Sequence, residues 1–202
     1  MTSKDVTEAD IQANIPLAGR KAGQVNTVVK VGQVEFGGGK FVVIGGPCTV
    51  EGHDMMMNTG DHVKASGAAM IRGGAFKPLT FPYRNEKMFQ LEEEGLKYLA
   101  EARERTDLPI VTEILDVRHV DMLARYTDMM QVGARNMQNF PLLEELGKAK
   151  VPVLLKRHFG CGLRDWLGAA EYILYHGNPN VVLCERGITA PHTHQLTSRF
   201  IV

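Results

Sequence analysis

The sequence predicts an α/β fold whose parallel strands curl into a (β/α)8 barrel, and three observations carry the prediction. Short apolar runs rich in β-branched residues alternate with longer segments of helical period. At this spacing, such alternation means parallel βαβ units. Nearly every apolar run also ends in a charged or reactive residue. A barrel gathers all its strand ends on one face, whereas an open doubly wound sheet gathers ligand residues at a single switch point.

A β-hairpin is expected first, because "VNTVVKVGQVEF" has two short alternating runs around Gly32, with three glycines after it. The strand runs follow at 41–48, 68–74, 108–114, 128–134, 151–157 and 181–187. Helix candidates lie between them at 53–66, 91–105, 117–126, 140–148 and 164–176. In "EEGLKYLAEARERT", Leu96, Leu99, Ala100 and Ala102 share one side and the charges take the other. Pro109 and Pro152 open their strands, where a missing N–H costs least. Six runs fall short of the eight a barrel needs, and a six-stranded sheet has edges to cover. The expectation is therefore a barrel truncated after about six β/α units, with exposed apolar edges and self-association. Residues 1–25 read as a polar lead-in that could be disordered, and 26–202 as the partial barrel domain.

Composition narrows the function classes. The chain has 202 residues, 44% hydrophobic and 23% charged, with 23 basic against 23 acidic side chains. That balance argues against wholesale nucleic-acid or membrane binding, so any cationic site must be local. No secretory h-region and no stretch of membrane-spanning length is present in the sequence. Cys48, Cys161 and Cys184 are few, odd in number and far apart, which speaks against a disulfide framework and for the reducing cytoplasm.

Arg72, Lys77, Arg135, Lys156 and Arg186 all fall at or just after strand ends, against Glu51, Glu113 and Glu185. Arg157 is expected to face the other way. The surplus suits a small polyanion carrying phosphate or carboxylate groups. The plainer alternative is that each cation pairs with a neighbouring acid. Cys48 stays open between a small buried hydrophobe, a thiolate metal ligand and a nucleophile. His192 and His194 could offer two imidazoles to a metal. Cys161, Cys184, Trp166, Met55 to Met57, Met129 and Met130 read as packing residues. Schiff-base chemistry at Lys156 is conceivable, but the surrounding arginines fit phosphate better.

The stretches "FVVIGGPCTVEG", "IRGGAFKPLTFPY", "QVGARNMQNFPLLEELGKAKVPVLLKR" and "GNPNVVLCERGI" closely resemble the type I-beta class of 3-deoxy-D-arabino-heptulosonate-7-phosphate (DAHP) synthases. The resemblance runs from about residue 26 to 190, with 3-deoxy-D-manno-octulosonate-8-phosphate synthase as a more distant sister. It implies a (β/α)8 TIM barrel that condenses phosphoenolpyruvate with erythrose 4-phosphate and releases phosphate, in the shikimate pathway. It also implies a divalent metal (Mn, Co, Zn or Fe) that polarises the aldehyde, and a homo-oligomer, dimer or tetramer. By the same resemblance, Arg72, Lys77, Arg135, Lys156 and Arg186 would hold phosphoenolpyruvate, with the backbone of Gly133 and Ala134. Thr80 would bind the second substrate, an aldose phosphate. Cys48 would ligate the metal, and Lys77 and Arg72 would be catalytic, Lys77 delivering a proton.

Two departures accompany the resemblance. The family motif Lys-Pro-Arg-Thr-Ser reads "KPLTF" here, so Leu79 replaces a phosphate-binding Arg and Phe81 a hydroxyl, with Arg84 a candidate substitute. The family's other metal ligands, a His, a Glu and an Asp, lie on seventh and eighth strand segments that this sequence does not supply. An enzyme using another aldehyde and a non-catalytic phosphometabolite- or partner-binding relative are the alternatives. The short lead-in gives no expectation of an attached regulatory domain.

Overall fold

The structure is a computed structural model that describes residues 7–21, 23–78 and 90–187. Leu79, Thr80, Phe81, Arg84, His192 and His194 lie outside the described residues. The chain opens with α1 (Glu8–Asn14), then the antiparallel hairpin β1 (Val29–Val31) and β2 (Val34–Phe36). Five βα units and a sixth strand follow, beginning with β3 (Ile44–Gly45), α2 (His53–Ala65), β4 (Met70–Arg72), α3 (Glu93–Thr106), β5 (Ile110–Ile114) and α4 (Val120–Tyr126). The series ends with β6 (Met129–Val132), α5 (Phe140–Ala149), β7 (Val153–Lys156), α6 (Leu163–Tyr175) and β8 (Val181–Cys184).

Local chemistry sets the helix limits. Asn139 caps α5 by accepting the Leu142 N–H, and Pro141 sits in the first turn, where its missing N–H is no loss. Asp107 and Lys150 close α3 and α5 in left-handed conformation. Asp165 accepts the Gly162 N–H at the start of α6.

All six strands of the main sheet are parallel, and they lie in strict sequence order from β3 to β8. A doubly wound sheet would reverse that order at its switch point. Each helix packs against the next, α2 on α3 through to α5 on α6. This is the wall of a (β/α)8 barrel, and the open-sheet alternative falls away.

Because successive strand residues face opposite sides, the sheet divides its apolar residues between two cores. Ile71, Ile110, Ile114, Met130, Val132, Val153 and Leu155 face outward onto Leu96, Leu99, Leu123, Leu146 and Ile173 of the helices. Met70, Val111, Met129 and Leu154 face inward, where Val29, Val31 and Val34 of the hairpin cover them. The hairpin is tied down at its turn, where Gln33 donates to the carbonyl of Asp107 over 2.7 Å. Trp166 packs as expected, with its indole N–H on the Leu155 carbonyl. Part of the lead-in differs from the disorder considered for it. α1 is helical, Ile15 is buried, and Glu171 of α6 accepts the N–H groups of Leu17 and Ala18.

Candidate functional site

Strand parity places the polar groups. On β4 the inward residues are Met70 and then Arg72, the last of the strand. The same alternation puts Glu113 above Val111, Gln131 above Met129, Lys156 above Leu154 and Cys184 above Val182. Register sets Glu113 beside Gln131 and Lys156 beside Cys184. The inner face thus changes from an apolar floor under the hairpin to a polar rim at the C-terminal strand ends.

Close backbone approach builds one corner of that rim. Gly46 has φ +136°, and a Cβ there would collide with the Arg72 carbonyl. A Cβ on Gly74 would stand 2.7 Å from the Cys48 carbonyl, and Val50 N–H donates to the Gly74 carbonyl over 3.0 Å. The loops after β3 and β4 therefore lie against one another, and Lys77 Nζ donates to Cys48 Sγ over 2.8 Å. That hydrogen bond, with the field of Arg72, holds the Cys48 thiol below its ordinary pKa. Cys48 is exposed, so the buried-hydrophobe reading is corrected.

Glu113 occupies the middle of the rim. Gln131, itself buried, donates to one carboxylate oxygen over 3.1 Å. The other oxygen fills the space a side chain at Gly133 would need. Burial pushes the Glu113 pKa up, while Lys156, the Gln131 hydrogen bond, Arg135 and Arg72 pull against it. Arg135 follows β6 on the 3-10 turn Ala134–Asn136 and reaches across to the Pro78 carbonyl at 3.5 Å.

Glu185 has a different task from the one its strand-end position suggested. Burial pulls its pKa up, but Arg157 and the N–H groups of Gly187 and Arg186 together hold it below its ordinary value. Arg157 is buried, and its Nε donates to Glu185 over 2.7 Å. Arg157 is thus a brace, in keeping with its expected turn away from the mouth.

Several of the cations are paired. Arg103, Arg105, Arg118, Arg157, Lys30, Lys97 and Lys148 each have a carboxylate partner. Among the described residues, Arg72, Lys77, Arg135, Lys156 and Arg186 have none within ion-pair distance. They follow β4, β6, β7 and β8, and Arg72 acts electrostatically on Cys48, Glu113 and Cys184 alike. Gln131, His158 and Phe159 were not singled out from the sequence. Parity with Met129 was the available signal for Gln131; the other two are read from their contacts alone. Cys161 and Cys184 pack against the outer and inner cores, as expected.

A metal would have to find its ligands at the same corner. Among the described residues no group of three or more His, Cys, Asp or Glu could hold one. Cys48 offers one donor, where a catalytic ion takes about three. The described residues alone therefore do not fit a catalytic metal.

Comparison with known proteins gives a consistent picture. A family model described as the DAHP synthetase I family matches residues 17–198. Phospho-2-dehydro-3-deoxyheptonate aldolase of Thermotoga maritima is 43% identical over 189 residues, 92% of this chain and 55% of that protein. The 2-dehydro-3-deoxyphosphooctonate aldolase of Fusobacterium nucleatum is 28% identical over 170 residues, 80% of this chain and 60% of that protein. The crystal structure of the Thermotoga maritima DAHP synthase superposes with a TM-score of 0.76 at 43% identity, over 83% of this chain and 48% of that one. A truncated form of the Thermotoga maritima enzyme gives 0.78 at 39% identity, over 90% and 64%. The chain spans about half the length of the heptonate-type relative it matches.

Proposed function

We propose, on the premise that this chain belongs to the DAHP synthetase I family, that it takes part in condensing phosphoenolpyruvate with erythrose 4-phosphate. The products are DAHP and inorganic phosphate, in the first step of the shikimate pathway. One observation carries the reading: five cations at the ends of parallel strands have no carboxylate partner among the described residues. Arginine forks and lysine ammonium groups left unpaired at one rim suit the phosphate and carboxylate of phosphoenolpyruvate.

In the reaction, the enol carbon attacks the aldehyde carbon, water adds to the neighbouring carbon, and the C–O bond to phosphate breaks. Arg72 and Lys156 project inward from strand ends and would hold the anion, with Arg135, Arg186 and the Gly133–Ala134 backbone completing the grip. Lys77 would deliver the proton to the aldehyde oxygen as it becomes a hydroxyl. Its hydrogen bond to Cys48 aims the ammonium across the β3 and β4 loops. The family is generally metal-dependent, and a divalent ion would polarise the aldehyde. Cys48 would be one of its ligands. Three free thiols accord with a reducing compartment, the cytoplasm, and a homo-oligomer is the assembly this reading expects.

The test is inorganic phosphate release by the full-length polypeptide in the presence of phosphoenolpyruvate, erythrose 4-phosphate and Mn2+. Release is expected only with all three. Arg135→Ala should lower kcat/KM for phosphoenolpyruvate by roughly 10- to 100-fold, the scale of one charged hydrogen bond. Absence of release in the wild-type protein overturns turnover. Leu79, standing where the resembling motif carries Arg, favours a second reading: a relative that takes another aldehyde, or binds phosphoenolpyruvate without turnover. A screen of aldoses and aldose phosphates, with calorimetric binding alongside, separates these.

A further inference from the structure

We infer that Phe159 is a positioning residue for Arg186, holding its guanidinium at the rim while leaving the charge free for an anion. The inference rests on the proposed role of Arg186 in binding phosphoenolpyruvate. Arg186 lies two residues past β8 and is exposed. Its guanidinium carbon sits 5.6 Å from the centroid of the Phe159 ring. The same ring stacks on His158, with centroids 4.3 Å apart and planes 27° from parallel.

The backbones carrying the two side chains are fixed independently. Arg157 N–H donates to the Cys184 carbonyl over 3.0 Å, tying the end of β7 to the end of β8. Glu185 accepts the N–H groups of Arg186 and Gly187, each over 2.8 Å, and its other oxygen takes Arg157 Nε. On the opposite side, Gly160 N–H donates to His158 Nδ1 over 3.1 Å, and His158 N–H donates to Met137 Sδ. What these bonds leave undetermined is the long Arg186 side chain. A carboxylate partner would fix it but would also neutralise it. An aromatic face attracts the cation through its quadrupole and leaves the N–H fork unsatisfied. That combination is what a preformed anion site requires.

The experiment has two arms on the full chain: wild type, Phe159→Leu and Phe159→Tyr. In the first, proton NMR of the free protein reads the Arg186 side chain, assigned by its loss in Arg186→Ala. The contact predicts ring-current displacement of the Arg186 side-chain resonances in wild type and Phe159→Tyr, collapsing in Phe159→Leu. Undisplaced resonances in wild type overturn the inference whatever the substrate. In the second, calorimetric titration with phosphoenolpyruvate should show Kd about 3- to 10-fold weaker for Phe159→Leu, on the scale of a cation–π contact. Phe159→Tyr should rescue binding to within about twofold. In an Arg186→Ala background, Phe159→Leu should change nothing further. An equal loss in that background would mean that Phe159 acts through the loop and not through Arg186. Displaced resonances without phosphoenolpyruvate binding in wild type would sink the proposed function and leave the Phe159–Arg186 contact standing.

Discussion

Glu113 shows how one residue can be set against its own stability to serve a site. It is a carboxylate on the inner face of β5, and burial raises its pKa above the ordinary 4.5. Between pH 4.5 and that raised value, the folded protein keeps a proton that the unfolded chain has released. Stability therefore falls as pH rises through this window, and the penalty persists at neutral pH. Glu113→Gln is expected to melt higher than wild type at pH 7, by about 2–4 °C for each kcal/mol regained in a chain of this size. The difference should vanish below about pH 4.5, and thermal melts at pH 7 and pH 4 check it. A lower melting temperature at pH 7 would mean that neutralising Lys156, Arg135 and Arg72 outweighs the burial penalty. The sequence marked Glu113 as a strand-end acid. Its burial came only with Gln131 and Gly133, which belong to the neighbouring strand.

Elements were readable where periodicity is strong and less so where backbone contact decides. All five helix candidates between strands are present within a few residues of their expected ends, because their apolar faces repeat at helical spacing. β3 is only Ile44–Gly45, far shorter than the run 41–48 that announced it. The reason is Gly46, whose positive φ and contact with the Arg72 carbonyl turn the chain out of the sheet at once. Gly46→Ala is expected to lower stability by about 1–3 kcal/mol through overpacking against backbone. Gly168 on α6 is the counterpart, since a Cβ added there would meet nothing within 4 Å. Gly168→Ala should raise stability by about 0.5–1 kcal/mol, since it only removes freedom from the unfolded chain. Urea unfolding of the pair, with unchanged slopes, measures both.

At the scale of the molecule, the parallel sheet has two outer edges among the described residues: β3 pairs only with β4, and β8 only with β7. Near them Phe41, Val43 and Leu183 are exposed, and unpaired strand edges with apolar side chains favour association. Sedimentation should show the 202-residue chain associating with rising concentration, and Leu183→Lys should weaken that association; a wild-type monomer at every concentration counts against it. Sequence by itself determined the βα rhythm, the hairpin, the family resemblance and the five strand-end cations, because periodicity and residue type are local properties. Only the tertiary structure decided that the strands run in unbroken order as a barrel wall, that Arg157 and Glu185 brace each other, and that Cys48 meets Lys77. It also brought Phe159 to Arg186. Each of these depends on which residues far apart in the chain become neighbours, and strand order, register and backbone approach fix that only when the sheet assembles.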